Sequence, residues 1–373
     1  MPSHIISTEH TATLEWRNES SQKPPKHAVY CPQCNAQTVL AQAHANTATV
    51  WTGDFHQAKQ ILAAIKKRLR TTAKTPPAQP LLNADAFHRH RMQQAQQSRL
   101  INMLAIEVQA HFQLDLPRAP DVAAALSDVY GTPNTQPFLL PLNQLLGFIG
   151  AHEWHKQGVD IAALPHKIHV PFGVFSPLRG EYLDLVQTAP LPATCQTAFD
   201  IGTGSGVLAA ILAQRGVRHI IATDTNPRAI ACAQANIQRL GWQDAVYIET
   251  TDLFPAGNAD LIVCNPPWLP AKPTSAIEAA LYDPDHTMLK GFLNGVAAHL
   301  KPNGEAWLIM SDLAEHLHLR TPDFLNQCFQ QAGLRLIDTL HTQPTHHKAN
   351  DAHNPLAFAR QRETTFLYRL AVA

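Results

Sequence analysis

Three glycines follow a short apolar run in the second half of the chain, at positions Gly202, Gly204 and Gly206. Glycine reaches backbone conformations that other residues avoid, so this spacing predicts a sharp turn that can approach a ligand closely. The spacing is G-x-G-x-G, whereas the dinucleotide-binding pattern is G-x-G-x-x-G. Asp200 precedes the turn, which also contains Thr203. A carboxylate here repels a pyrophosphate and favours a cationic ligand, which suits S-adenosylmethionine.

Two further aspartates stand at the ends of the next predicted strands. Asp224 ends the second strand, where a carboxylate can accept hydrogen bonds from the two hydroxyls of a ribose. Asp252 follows the third strand, where it can receive an adenine amino group while Leu253 lies against the ring. Either aspartate alone could simply cap a loop. Together with the glycine turn, they predict a cofactor site at three successive strand ends.

The tetrapeptide Asn265-Pro266-Pro267-Trp268 follows the fourth predicted strand. Two consecutive prolines lack backbone donors and fix φ, so they form a rigid turn rich in carbonyl acceptors. The side-chain oxygen of Asn265 and the carbonyl of Pro266 can then grip a planar NH2 group and direct the nitrogen lone pair at a methyl donor. Trp268 supplies a ring on which a planar amide or a base can stack.

The pattern of elements predicts an α/β fold with a doubly wound, mostly parallel sheet of seven strands and a smaller, mainly helical amino-terminal region. Strand-like apolar runs alternate with helical periodicity from about residue 195 onward. The predicted strands cover 197–201, 219–223, 245–250, 260–264, 305–310, 334–340 and 364–370. The predicted helices between and after them cover 206–215, 227–240, 286–300 and 322–332.

Residues 195–310 resemble a class I S-adenosylmethionine-dependent methyltransferase. The resemblance rests on the run from Asp200 to Gly206, on Asp224 and Asp252, and on Asn265–Trp268, which is similar to the [N/D/S]PP[Y/F/W] motif of amino-methylating members. It implies S-adenosylmethionine as cofactor and N-methylation as activity. The short distance from Asp252 to the proline pair is most like that in release-factor glutamine-N5 methyltransferases, although those usually have Tyr where this chain has Trp268.

The methyl acceptor is left open by these residues. A glutamine of a protein such as a translation factor is favoured, and an exocyclic amino group of a base in rRNA or DNA is the alternative. The glycine spacing, Asp200 and Asn265–Trp268 all argue against an NAD-dependent oxidoreductase. A catalytically silent module that binds RNA or protein is a remote alternative, since both parts of the site are complete. No metal is needed for this chemistry.

Boundaries in composition divide the chain into a weakly ordered segment 1–50, a mainly helical substrate-recognition region 51–165 and a methyltransferase domain 166–373. Lys+Arg and Asp+Glu are both 29, so no overall field drives nucleic-acid binding. Between His56 and Arg118, however, ten Lys/Arg face three acids, which is typical of a solvated face or of a docking surface for RNA. Without a leader or a membrane-length apolar run, a cytoplasmic protein is expected.

Two other segments carry candidate residues. Cys31 and Cys34 resemble half of a zinc ribbon, but a structural zinc site needs four ligands, so surface thiols are the favoured interpretation. The segment before the glycine turn is a candidate for closing over the cofactor, or else an ordinary linker with an aromatic anchor. Its candidate residues are Phe175, Ser176, Pro177 and Arg179.

Overall fold

A computed structural model describes residues 4–8, 13–72, 84–178, 180–275, 277–343 and 357–373. The chain divides into two compact units. The first consists of Met1–Pro76, His88–Glu153 and Thr274–Ala276, and the second consists of Pro77–Phe87, Trp154–Pro273 and Ile277–Ala373.

The amino-terminal part of the chain contains short strands and longer helices. The described strands are β1 (His4–Thr8), β2 (Thr13–Trp16), β3 (His27–Cys31), β4 (Thr47–Trp51), β5 (Leu104–Val108) and β6 (Phe138–Pro141). The described helices are α1 (Ala36–His44), α2 (Phe55–Thr72), α3 (Ala84–Ile101), α4 (Ala123–Tyr130) and α5 (Leu142–Gln157), with a short 3-10 turn at Ala110–Phe112.

The six described strands of the first unit form one sheet that closes on itself in the order β1-β2-β6-β5-β4-β3, with β3 paired to β1. Strands β3 and β4 are parallel and are connected through α1. Apolar side chains from several strands, among them Ala48, Val50, Ala105 and Leu139, meet in a buried core. The enclosed core explains why short strands suffice here, since each strand has a hydrogen-bonded neighbour on both sides.

The first unit differs from the sequence prediction. The segment 1–50, expected to be weakly ordered, contains β1, β2, β3, α1 and all of β4 but its last residue, and the region 51–165, expected to be mainly helical, also contains β5 and β6. The first strands are four or five residues long and mix polar with apolar side chains, so they lack a clear period of two. The amphipathic helices dominate the pattern along the sequence, whereas the strands depend on pairing between distant segments.

The second unit alternates strands and helices. Its strands are β7 (Thr197–Ile201), β8 (His219–Asp224), β9 (Val246–Thr250), β10 (Ala259–Cys264), β11 (Leu300–Ser311), β12 (Leu334–Thr342) and β13 (Thr365–Val372). Its helices are α6 (Glu181–Thr188), α7 (Val207–Gln214), α8 (Pro227–Leu240), α9 (Thr287–His299), α10 (Leu313–His316), α11 (Phe324–Gln331) and α12 (Ala357–Arg360), with 3-10 turns at Glu278–Ala280 and Pro284–His286.

These described strands form a seven-stranded mixed sheet in the order β12-β13-β11-β10-β7-β8-β9. Strands β7 to β11 pair in parallel, and β13 runs antiparallel to both β11 and β12. Each of the seven strands overlaps a predicted run, although β11 begins five residues before its own. The mixed sheet of seven strands is consistent with the prediction of a mostly parallel, seven-stranded sheet for this part of the chain.

Helices cover both faces of this sheet. Along β10, Leu261 and Val263 belong to a core that also holds residues of α6, α7 and α8. Ile262 and Cys264 belong to a second core with residues of α9 and α11. Successive residues of a strand point to opposite faces, so the unbroken apolar run Leu261–Cys264 of β10 reflects burial on both sides.

Among the helices that the structure describes, none combines the length and apolarity required to cross a membrane.

Candidate active site

The strand register brings the predicted site residues to one edge of the sheet. Ile201 pairs with Cys264 on one side and with Thr223 on the other, while Asp224 pairs with Thr250. Neighbouring strands lie about 4.8 Å apart, and parallel strands end at the same edge. The glycine turn, Asp224, Asp252 and Asn265, which follow these positions, therefore lie on adjacent strand ends.

The glycine turn connects β7 to α7, and all three glycines have positive φ: +72° at Gly202, +55° at Gly204 and +80° at Gly206. A Cβ on Gly202 would lie 2.6 Å from the terminal methyl of Met288, and one on Gly206 would lie 3.2 Å from Ala233. No atom lies within 4 Å of the Cβ position of Gly204. The turn thus packs tightly at both ends and leaves its middle open to a ligand.

Asp200 is fully buried beneath this turn. Its Oδ2 accepts hydrogen bonds from Thr203 Oγ1 at 2.6 Å and from the Ala209 amide at 3.1 Å. Its Oδ1 is buried and has no hydrogen-bond partner. Burial raises the pKa of Asp200 to about 6, with the Asp224 carboxylate acting in the same direction and the two hydrogen bonds opposing it. Such a carboxyl gains from any cation that comes near.

Asp224 is held by the backbone of two loops. Its Oδ2 accepts from the Gly204 amide at 3.0 Å, and its Oδ1 accepts from the Asn226 amide at 2.8 Å. The carboxylate therefore has a fixed orientation beside the glycine turn, and each of its oxygens keeps a lone pair for a further donor.

Asp252 and Leu253 occupy the bend after β9. Asp252 is exposed, whereas Leu253 is half-buried with a φ of +59°. The Leu253 carbonyl accepts from Thr223 Oγ1 at 2.6 Å, and a Cβ on Gly291 would lie 2.8 Å from Leu253 Cδ1. The bend is thus anchored to β8 and α9 through Leu253, and Asp252 is left accessible.

Asn265 has two aromatic neighbours. Its Oδ1 accepts a hydrogen bond from Trp268 Nε1 at 2.9 Å. The second neighbour is Tyr182, which is buried on α6. Burial raises the pKa of Tyr182 well above its usual range, and the Asp200 carboxylate adds to this, so the phenol stays neutral. Sequence reasoning missed Tyr182, because nothing along the chain links α6 to the end of β10.

The structure adds a loop that braces the proline turn. Leu269, next to Trp268, forms an isolated bridge with Tyr282, and its carbonyl accepts from the Asp283 amide at 2.9 Å. The buried Asp283 carboxylate accepts from the Met288 and Leu289 amides, both at 3.0 Å. Since Met288 lies against Gly202, this loop connects the two halves of the site.

The segment before α6 borders the start of α8. The Gly173 carbonyl accepts from Asn226 Nδ2 at 3.2 Å, and Phe172 lies 5.7 Å from the Arg228 guanidinium. This places the segment beside the loop that holds Asp224. Of the residues predicted to close over a cofactor, Phe175 and Ser176 are half-buried and Pro177 is buried, while Arg179 lies outside the described residues.

Residues 168–336 match the family described as "Methyltransferase small domain". The matched segment spans somewhat less than half of this chain. It contains every predicted site residue, from Asp200 to Trp268.

Curated relatives cover the same part of the chain. The tRNA1(Val) (adenine(37)-N6)-methyltransferase of Cytophaga hutchinsonii is 33% identical over 132 residues, which is 33% of this chain and 55% of that protein. The release factor glutamine methyltransferase of Cereibacter sphaeroides is 34% identical over 144 residues, which is 35% of this chain and 51% of that protein. The chain thus spans about half the length of these curated relatives.

Among solved structures, a ribosomal protein L11 methylase from Lactobacillus delbrueckii subsp. bulgaricus aligns with 55% of this chain and 86% of its own. The TM-score is 0.39 and the sequence identity is 18%.

Proposed function

We propose that this chain is an S-adenosylmethionine-dependent N-methyltransferase that acts on a planar amide or amino group. One observation carries the proposal: the strand register sets Asn265, with its side-chain amide already oriented, on the strand next to the glycine turn. A methyl donor above that turn and an NH2 group at Asn265 would be neighbours. Such proximity supplies much of the rate enhancement in a displacement reaction.

The residues present fit this cofactor. The buried Oδ1 of Asp200 lacks a partner, as expected beneath a site for a cationic amino-acid group. The open side of Gly204 leaves room for that group, and the fixed carboxylate of Asp224 can accept from the ribose hydroxyls. Asp252 and Leu253 would hold the adenine. When bound, S-adenosylmethionine supplies an activated methyl group on a sulfonium.

Asn265 and Pro266 would position the acceptor nitrogen. The Asn265 oxygen holds the Trp268 indole with one lone pair and keeps the other for an acceptor N–H. The Pro266 carbonyl would accept the second N–H, so that both hydrogens are held and the nitrogen lone pair faces the methyl group. An amide nitrogen is a weak nucleophile, so drawing both hydrogens toward acceptors raises electron density on it. Trp268 would also cover the acceptor's planar face.

A glutamine side chain of a protein is the favoured acceptor, and a translation factor is the favoured substrate. A glutamine carboxamide presents its planar NH2 group directly, so no base has to be extruded. The relative from Cereibacter sphaeroides is named a release factor glutamine methyltransferase, which supports this choice.

A base in RNA or DNA is the second candidate, favoured by helix α2. That helix contains Lys59, Lys66, Lys67, Arg68 and Arg70 and no acidic residue. Lys59 and Arg70 lie eleven residues apart, which is roughly 16 Å along the helix axis. That length matches several phosphates along a nucleic-acid strand. The Cytophaga hutchinsonii relative is named a tRNA adenine methyltransferase.

Labelled S-adenosylmethionine decides between the two acceptors. The purified chain is incubated with labelled cofactor and an extract of cells that lack its gene, and the products are treated with protease or with nuclease. Label released by protease supports the glutamine proposal, and label released by nuclease supports the base. No incorporation into either class would contradict the proposed activity.

Replacement of Asn265 tests the site itself. Asn265→Ala should leave the Kd for S-adenosylmethionine within about twofold while abolishing turnover, since the side chain holds the acceptor and not the cofactor. Calorimetry measures the first quantity and label transfer the second. Asn258→Ala, which removes an exposed asparagine at the opposite end of the same strand, is the control and should change neither. Loss of cofactor binding in Asn265→Ala would contradict the assigned role.

A further inference from the structure

A second chemically competent group lies in the first unit, at the end of β3. Cys31 is the last residue of that strand, and Cys34 stands just before α1, the helix that leads to the parallel strand β4. The pattern C-x-x-C at the carboxyl end of a strand, ahead of the crossover helix, is typical of dithiol redox sites. Nothing in the proposed methylation uses these thiols.

Backbone contacts hold the turn between the two cysteines. The Cys31 carbonyl accepts from the Thr52 amide at 3.2 Å. A Cβ on Gly53 would lie 2.3 Å from the Pro32 carbonyl oxygen, so the turn rests directly on the backbone that follows β4. On the helix side, Asn35 Oδ1 accepts from the Gln37 and Thr38 amides at 2.9 and 3.0 Å. The backbone that carries the two cysteines is therefore held in place on both sides of the turn.

The two thiols face each other. Cys31 is close enough to contribute to the raised pKa of Cys34, and both side chains are partly exposed. By contrast, Cys195, Cys232 and Cys264 are buried. No third histidine, cysteine or carboxylate ligand atom from the described ranges lies within 4.8 Å of both sulfurs, so the pair lacks the ligand set of a structural zinc site.

We propose that Cys31 and Cys34 form a dithiol–disulfide exchange site whose substrates are accessible disulfides, of low molecular weight or on a protein surface. The Cys31 thiolate attacks one sulfur of the substrate disulfide, forming a mixed disulfide and releasing one thiolate. Cys34 then loses its proton and attacks the Cys31 sulfur, displacing the second thiolate. The pair is oxidised to one disulfide, and the substrate disulfide is reduced to two thiols.

The environment of Cys34 assigns the order of attack. Burial, followed by the neighbouring Cys31 thiol, raises the pKa of Cys34 to about 12, so this thiol keeps its proton. Cys31 is left as the attacking group, and Cys34 is placed to resolve the mixed disulfide. This inference is independent of the proposed methylation.

Equilibration with glutathione tests the proposal. The full chain is incubated in buffers of stepped ratios of reduced to oxidised glutathione, quenched with acid, alkylated with N-ethylmaleimide and digested. We expect the peptide that holds both cysteines to convert, in one reversible step, from a doubly alkylated form to an intramolecular disulfide. Cys328, the partly exposed single thiol, should stay alkylated or carry only glutathione.

Two variants define the roles of the sulfurs. Cys34→Ser should trap glutathione on Cys31, and Cys31→Ser should lose exchange at this position, while Cys328→Ser should behave as the unmodified chain. The proposal is overturned if the unmodified chain stays doubly alkylated across all buffers, or if it accumulates only mixed disulfides. Stoichiometric zinc in the purified chain that is lost in Cys31→Ser would also overturn it.

Discussion

At the scale of single residues, the hydrogen bond between Trp268 and Asn265 engages the amide oxygen that the proposed reaction uses. The indole N–H reaches Asn265 Oδ1 at 2.9 Å and so fixes which end of the amide is the acceptor. Because the indole can only donate, this bond favours the orientation in which the amide oxygen faces Trp268. The Asn265 oxygen is therefore oriented before any acceptor arrives.

Replacing Trp268 with phenylalanine tests this orientation. Trp268→Phe keeps an aromatic face but removes the N–H, so we expect kcat to fall by roughly fivefold, the equivalent of about 1 kcal/mol for one hydrogen bond. The Kd for S-adenosylmethionine should not change. Trp154→Phe, at an exposed tryptophan, is the control. Equal kcat in Trp268→Phe and the unmodified chain would mean that the bond does not position Asn265.

Asp200 gives the site a pH dependence. Its pKa is raised to about 6 by burial, above that of an aspartate in the unfolded chain, so ionisation costs more in the folded state. The stability that this carboxyl contributes is complete at low pH and is lost as the pH rises through 6. Between pH 5 and 7.5, the free energy of unfolding without cofactor should fall by ~1 kcal/mol relative to Asp200→Asn. Urea unfolding of both proteins measures the difference.

Cofactor binding should depend on pH in the opposite direction. A cationic ligand favours the ionised carboxylate, so the affinity for S-adenosylmethionine should rise as the pH increases toward 6 and then level off. Below pH 6 the Kd should increase by up to about tenfold for each unit by which the pH falls. Calorimetry at several pH values checks this, and Asp200→Asn should flatten the profile. If the Kd of the unmodified chain is independent of pH, Asp200 does not interact with the positive charge of the cofactor.

The sequence predicted the carboxylates, the glycines and Asn265–Trp268, because their chemistry is tied to spacing at strand ends. It did not predict Tyr182 or Asp283. Both act through contacts between elements far apart in the chain, and a buried tyrosine or a capping aspartate has no signature of its own along the sequence.

At the scale of elements, the glycine turn decides how α7 and α8 pack. Gly206 has a φ of +80° and its Cβ position is 3.2 Å from the backbone and side chain of Ala233 on α8. Its conformation and its close approach both require glycine. Gly216, after α7, has a φ of +93° but no atom within 4 Å of its Cβ position.

These two glycines allow strain and packing to be separated. Gly216→Ala should cost about 1 kcal/mol of stability, from the left-handed backbone alone. Gly206→Ala should cost about 2–4 kcal/mol, because overpacking against α8 is added. Thermal unfolding measures both, and Gly206→Ala combined with Ala233→Gly should recover part of the loss. Equal costs for the two single variants would mean that α8 yields without penalty.

Every strand of the second unit overlaps a predicted run, whereas none of the six strands described in the first unit was predicted. The run Leu261–Cys264 is apolar throughout because both faces of β10 are buried, and such runs are easy to recognise. Strand β2, by contrast, is four residues long with one buried side chain, and it becomes a strand only by pairing with β1 and β6.

At the scale of the molecule, two compact units predict two unfolding events. S-adenosylmethionine at a hundred times its Kd should stabilise the unit that contains the glycine turn by about 2.7 kcal/mol. Phe138→Ala removes a buried ring that packs edge-to-face on Phe112 and Tyr130, so it should cost the first unit about 3–5 kcal/mol. Differential scanning calorimetry would contradict the expectation if one transition responded to both changes.

The boundaries of these units could not be predicted, because each unit is assembled from separate stretches of sequence. The first unit includes Thr274–Ala276, more than a hundred residues beyond its previous stretch, and the Thr274 carbonyl accepts from the Ser21 amide at 2.9 Å. No change in amino-acid composition marks these three residues, which come after the proline turn in the sequence.

This interleaving restricts how such a gene can be shuffled. A single crossover between residues 153 and 154 would transfer the segment with the glycine turn together with Thr274–Ala276, which belong to the first unit. A chimera joined there would pair Ser21 of one parent with Thr274 of another. We therefore expect the sequences on either side of this point to be inherited together and not to be exchangeable as separate segments.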